Sequence, residues 1–191
     1  MAYSLWGDPN VEWSESGACG ASGGIIILWR KGILNINFSF RGVRFVDINA
    51  AWKGQDIFFV NVYSYCLSAL KRRYWGDLVA IKSRLNKGSW IVGGDFNAVS
   101  RNNERIGAST GGRRSEIQNL CKFIEDLDCI NVPCIGGIFT WFSGYGSSMS
   151  RLDRILILEE LVMNWSIVGQ IVGKRDISDH YHIWLKSSSV N

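Results

Sequence analysis

The sequence predicts an α/β fold of the α+β kind, in which two mixed β-sheets pack together with helices outside. Strand-like segments far outnumber helical ones, several alternate apolar with polar residues, and only two long stretches carry a helical period. The 191 residues suit one continuous domain, 1–191, with a substantial core: hydrophobic residues make up 47% and charged residues 20%, a composition that excludes disorder.

The elements follow in chain order. Residues 1–22 carry no strand pattern, and WSES within them reads as a polar stretch. After Gly23-Gly24 comes IIILW (25–29), a short apolar run. In ILNINFSF (33–40), Leu34, Ile36, Phe38 and Phe40 alternate with Asn35, Asn37 and Ser39, which predicts a half-buried strand. VRFVDINA (43–50) and DIFFVNVY (56–63) have similar β-branched and aromatic content. From 68 to 85 the period changes: Leu70, Tyr74, Trp75, Leu78, Ile81 and Leu85 recur every three or four residues, while Lys71, Arg72, Arg73 and Lys82 fall elsewhere. That pattern predicts an amphipathic helix. SWIVGG (89–94) returns to strand. A second helix is expected from about Ser115, where Ser115 and Gln118 have capping-box spacing and Ile117, Leu120, Cys121, Ile124 and Leu127 form an apolar face. IFTWF, RLDRILIL, SIVGQIV and YHIWLK complete the chain as short strands, with a helical piece over 159–165.

The opening residues lack a basic segment followed by an apolar one, so they are no secretory signal, and the apolar runs are too short to span a bilayer. The expected location is intracellular, nuclear or cytoplasmic, with no membrane partner. The five cysteines form no CxxC pair and read as reduced, buried thiols. A net charge of +4 favours a polyanionic partner without requiring one.

Three short motifs carry candidate chemistry. In GGDFN a strand ends on Gly93 and Gly94, and Asp95 and Asn97 follow at a sheet edge; Asp95 can take a proton or position a water, and Asn97 can donate to an anionic oxygen. The plain alternative is a tight turn that the two side chains merely cap. In SRLDRILIL a strand period places Leu152, Arg154, Leu156 and Leu158 on one face, and Arg151, Asp153, Ile155 and Ile157 on the other. Asp153 beside two isoleucines needs a partner, catalytic or an ordinary arginine. In SDH, Asp179 precedes His180 immediately before the last strand, a pairing suited to an oriented base or a hard cation, or simply to a turn.

In their order these motifs resemble the endonuclease-exonuclease-phosphatase superfamily, and most closely the reverse transcriptase-related endonuclease domain of plant LINE-type non-LTR retrotransposons. The resemblance runs through GASGGIIILW, FFVNVYS, the Arg-Tyr-Trp helix, WIVGGDFN, NERIG, FTWF, SRLDRILI and SDH. It implies a DNase I-like four-layer sandwich, two packed mixed β-sheets flanked by helices, that hydrolyses DNA phosphodiester bonds with Mg²⁺ or Mn²⁺. It also implies that Asp95 and Asn97 position the water and the scissile phosphate, His180 is the catalytic histidine, Asp153 orients it, Asp179 contacts the metal and Tyr63 contacts phosphate. The family's Asn and Gln-Glu strands have no counterpart in residues 1–22, where neither Glu12 nor Glu15 matches the metal ligand. A domain lacking its first strands and impaired in activity is therefore expected. An inactive remnant that only binds nucleic acid, or a phosphatase on the same fold, is the alternative.

Arg101, Arg105, Arg113 and Arg114 follow GDFN, and Arg151 and Arg154 flank Asp153. Arginines near such a site hold a nucleic-acid backbone with little sequence preference, the alternative being solvated loop charge. Trp141 reads as core rather than a base platform, and the chain as a monomer.

Overall fold

The computed structural model describes residues 2–18, 23–85, 87–107, 113–144, 146–175 and 178–188; Cys19 and the side chain of Arg113 lie outside them. Two compact units emerge, residues 1–63 with 87–93, and residues 64–86 with 94–191.

The first unit opens with α1 (Ala2–Trp6), β1 (Val11–Ser16) and β2 (Ile25–Arg30). Its β1 is a correction, since VEWSES shows no strand pattern. The pairing partner supplies what local sequence lacks: β1 runs antiparallel to the apolar β2, and exposed Glu12 accepts a 2.9 Å hydrogen bond from the Trp29 indole. The antiparallel meander β3 (Asn35–Gly42), β4 (Phe45–Trp52) and β5 (Gln55–Tyr63) follows, with β3 at the edge of its sheet. A second correction lies at this edge: Ile36 and Phe38 alternate as expected yet are exposed, in a strand with no neighbour on one flank among the described residues. By contrast, β4 is buried on both faces, with Val46, Ile48 and Ala50 in the core.

Between the parts of the first unit the chain forms α2 (Ser68–Leu85) of the second unit, then returns as β6 (Ser89–Asp95), whose last two residues belong to the second unit. In α2, Tyr74, Trp75 and Leu78 are buried as their period predicts. Lys71 is buried with them rather than on the polar face, because 71, 74, 75 and 78 form one helical stripe.

Beyond β6 lie the two-residue strand β7 (Arg105–Ile106), α3 (Arg113–Asp126), β8 (Ile130–Asn131), β9 (Cys134–Ile135), β10 (Trp141–Phe142) and β11 (Met149–Ser150). The chain continues through β12 (Asp153–Ile157), α4 (Glu159–Asn164), β13 (Ile167–Arg175) and β14 (Tyr181–Ser187). The helix α3 starts two residues ahead of the Ser115 cap read from sequence. In this unit β14 is antiparallel to β13 while β9 is parallel to it, and β10, β11 and β7 form an antiparallel group. Stacking of Trp75 on Phe123, 5.3 Å between ring centroids, joins α2 to α3, and Phe123 reaches on to the fully buried Phe96. Among the described residues the cysteines are free, and no helix is long and apolar enough to cross a membrane.

One residue of β4 breaks the pattern. Asp47 is fully buried opposite Val60 and Phe40, its carboxylate has no hydrogen-bond partner among the described residues, and burial pushes it up to about 7 from 3.8. A carboxyl raised in the folded state costs nothing below its ordinary value; the cost grows as pH rises and is complete above about 7. Asp47→Asn is therefore expected to raise Tm by about 5 °C at pH 8 and to change it little near pH 4, measured by thermal melts across that range.

Candidate active site

The strand β6 ends where Gly94 takes a φ of 132°, turning the chain so that Asp95 and Asn97 follow in a tight loop. Asn97 has a φ of 50°, a left-handed conformation that asparagine tolerates. The loop is fastened by the Phe96 amide donating to Leu152 O at 2.9 Å, ahead of β12, and by the Ser64 amide donating to Asp95 O at 2.8 Å. The Lys71 ammonium donates to Asn97 O at 2.5 Å and pairs with Glu116 at 3.2 Å, which pairs in turn with Arg105 at 3.1 Å. A helix residue thus anchors the turn and is itself tied into a partly buried chain of charges.

Both Asp95 oxygens are held by Asn97: the backbone amide donates to Oδ1 at 2.8 Å and Nδ2 to Oδ2 at 2.9 Å. Asn97 Nδ2 gives its other hydrogen to Ser64 O at 3.0 Å. Both amide hydrogens are engaged, and Asn97 serves as a cradle for Asp95. Burial, and next the negative charge of Asp153, push Asp95 up to about 6, against the Asn97 amide and the positive charges of His180 and Lys71.

Asp153 opens β12, its amide and that of Leu152 both donating to Thr140 Oγ1 at 2.9 Å. Its Oδ2 lies 2.8 Å from His180 Nδ1. A carboxylate acceptor places the proton on Nδ1 and leaves Nε2 for other contacts. The hydrogen bond that His180 donates to Asp153, stronger than the opposing burial, raises the His180 pKa above its ordinary value. The buried-carboxylate problem posed by the strand pattern is solved by this pairing. Asp179 is exposed; the Trp141 indole donates to its Oδ2 at 2.8 Å and holds its pKa below the usual carboxylate value. Trp141, half-buried, therefore orients a site carboxylate, a role its sequence context did not signal.

The structure brings Asp95, Asn97, Asp153 and His180 together, with Asp179 adjoining through the chain. Tyr63 belongs to the first unit, at the end of β5, with the Arg44 guanidinium 5.0 Å over its ring. Arg101 and Arg114 are exposed, and Arg105 is half-buried against Glu116 and Ser150. Arg151 and Arg154 are corrections: both are buried, Arg154 at 0% exposure, so neither offers a surface to a nucleic-acid backbone. Each is paired with Glu104, at 3.1 and 2.8 Å. The signal was available, since Arg154 shares a strand face with Leu152 and Leu156, where a guanidinium needs a buried carboxylate.

For a hard cation, Asp179 is suitable chemistry, being ionised, exposed and anchored. Among the described residues, no three His, Cys, Asp or Glu side chains converge into a cage. This donor set fits a Mg²⁺ that keeps most of its waters and takes one or two carboxylates plus a substrate phosphate.

A model of the endonuclease/exonuclease/phosphatase family matches residues 5–180. The chain belongs to that family. No curated protein gives a significant sequence match. Among solved structures, it is similar to the endonuclease domain of TRAS1, a telomere-specific non-LTR retrotransposon, at 16% identity and a TM-score of 0.72, over 96% of this chain and 83% of that one. It is similar also to a 3′ phosphatase, NExo, from Neisseria, bound to a product DNA hairpin, at 17% identity and a TM-score of 0.71, over 98% and 83%. A third is beta toxin from Staphylococcus aureus with bound magnesium ions, at 14% identity and a TM-score of 0.63, over 85% and 68%. At these identities the likeness shows the fold, the DNase I-like α+β arrangement of packed mixed sheets.

In this member of the family the Asp153 bond is the largest cause of the raised His180 pKa. Asp153→Asn is expected to lower the pH at which the imidazole titrates in NMR spectra, leaving the fold intact.

Proposed function

We propose that this chain is a metal-dependent phosphodiester hydrolase of the endonuclease type, of retrotransposon origin, acting on DNA inside the cell. The observation that carries the reading is the 2.8 Å Asp153–His180 pair set beside the doubly held carboxylate of Asp95. Fold alone fixes no substrate, so the reading rests on this site.

In the proposed chemistry Asp95, ionised above about pH 6, takes a proton from the attacking water. Asn97 keeps that carboxylate in one orientation. His180, protonated with Nδ1 on Asp153, presents Nε2 to a phosphoryl oxygen and stabilises charge as the bond to the leaving oxygen breaks. Asp179 would hold Mg²⁺ or Mn²⁺, which when bound polarises the phosphoryl group and neutralises its charge. Exposed Arg101 and Arg114, with Tyr63 at the end of β5, are proposed to contact the DNA backbone.

A second reading, a remnant that binds nucleic acid without cutting it, draws on the absence of a three-donor metal cluster among the described residues. A phosphatase reading draws on the Neisseria fold relative. Plasmid relaxation separates them: nicking is expected with Mg²⁺ or Mn²⁺, lost in EDTA, and reduced by about 100-fold or more in His180→Ala and in Asp95→Asn. The nicking rate is expected to fall as pH drops through about 6, where Asp95 gains its proton. DNA retention without nicking at any metal concentration would favour the remnant, and release of terminal phosphate without nicking the phosphatase.

A further inference from the structure

We propose that Glu104 and Arg154 form an internal clamp that sets the spacing between the two halves of the proposed site, the turn carrying Asp95 and Asn97 and the strand carrying Asp153. The role assigned to the clamp rests on that functional reading, while its structural consequence does not.

The geometry points to the clamp through the two carbonyls that Arg154 holds. Its Nη2 donates to Ala98 O at 3.1 Å and to Arg151 O at 2.9 Å. The first carbonyl is one residue beyond Asn97, and the second is two residues before Asp153. One rigid, planar guanidinium therefore touches the backbone of both halves. Glu104 closes the arrangement. Its Oε2 accepts from Arg154 Nη2 at 2.8 Å, from the Ser100 amide at 2.6 Å, from Ser100 Oγ at 2.9 Å and from the Arg101 amide at 3.1 Å. Its Oε1 accepts from Arg154 Nη1 and Arg151 Nη1, both at 3.1 Å.

The backbone repeats the connection, with the Arg151 amide on Glu104 O at 2.8 Å. Arg151 carries the link onward, its Nη2 donating to Val132 O at 2.7 Å. Burial alone would push Glu104 up, but the hydrogen bonds and charge of Arg154, the Ser100 amide and the charge of Arg151 outweigh it and hold Glu104 at about 2. The cluster stays charged, and a buried charge of this kind tolerates few alternative arrangements of the groups around it. Lysine at 154 keeps the charge but cannot reproduce a planar fork that spans a carboxylate and two carbonyls.

The test uses Arg154→Lys and Glu104→Gln in the full chain, with Leu161→Ala in the buried face of α4 as a control for loss of stability. Hydrogen exchange of the Phe96 amide, which bonds Leu152 O, reads the junction of the two halves directly, and the low-field His180 Nδ1 proton reads the Asp153 bond. Folded clamp variants are expected to exchange the Phe96 amide at least about tenfold faster than the control at equal distance below Tm. They are expected to broaden the His180 proton and to lower kcat for nicking by about 100-fold, with KM within about threefold. Clamp variants that match Leu161→Ala in exchange, proton signal and kcat would overturn the proposal. Should Arg154→Lys fail to fold, the isosteric Glu104→Gln decides. A wild-type chain that does not nick would defeat the functional reading, while exchange and the proton signal would still decide the clamp.

Discussion

The burial of Arg154 is the constraint on which the second unit depends. A guanidinium taken fully out of water must find a counter-charge and acceptors for its donors, or the fold loses several kcal/mol. Here its two terminal nitrogens find Glu104, Ala98 O and Arg151 O, while Nε has no partner among the described residues, so the loop after Asn97 and the approach to β12 are tied to one another through Nη1 and Nη2. Phe96 packs against Phe123, and Phe123 against Trp75, but such apolar packing tolerates small slides that a fork of hydrogen bonds does not.

Environment then separates three carboxylates of the same kind. Asp95, buried near a second negative charge, is pushed up to about 6 and so is ionised above that pH yet more basic than an ordinary carboxylate, which suits an acceptor of protons. Asp153 is committed to His180 and makes the imidazole more basic. Asp179, exposed and bonded by the Trp141 indole, stays ionised. Positive charge is sorted in the same way: Lys71 and Arg105 are tied to Glu116, and Arg151 and Arg154 to Glu104, whereas Arg101 and Arg114 are exposed.

Much of this was legible in the chain. The β-branched and aromatic content of DIFFVNVY, the three-and-four period from Leu70 to Leu85 and the glycine-terminated WIVGGDFN are local patterns that survive in β5, α2 and β6. Strands of two residues such as β7 and β11 were not, because nothing so short carries a period; they exist because Met149 and Ser150 meet Ile106 and Arg105 across the fold. VEWSES became a strand for the same reason, its apolar partner IIILWR supplying the ladder.

The sequence by itself determined which residue types stand at the ends of strands, and so that Asp95, Asn97, Asp153 and His180 were candidates, since chain order and side-chain period are properties of local sequence. Only the tertiary structure decided what those groups face. It turned the Asn97 amide inward to Asp95 and Ser64, removed Arg151 and Arg154 from solvent, and placed Lys71 behind the turn. Charge and hydrogen bonding act through space, between residues as far apart in the chain as 97 and 71 or 154 and 104, and a one-dimensional pattern does not encode those distances.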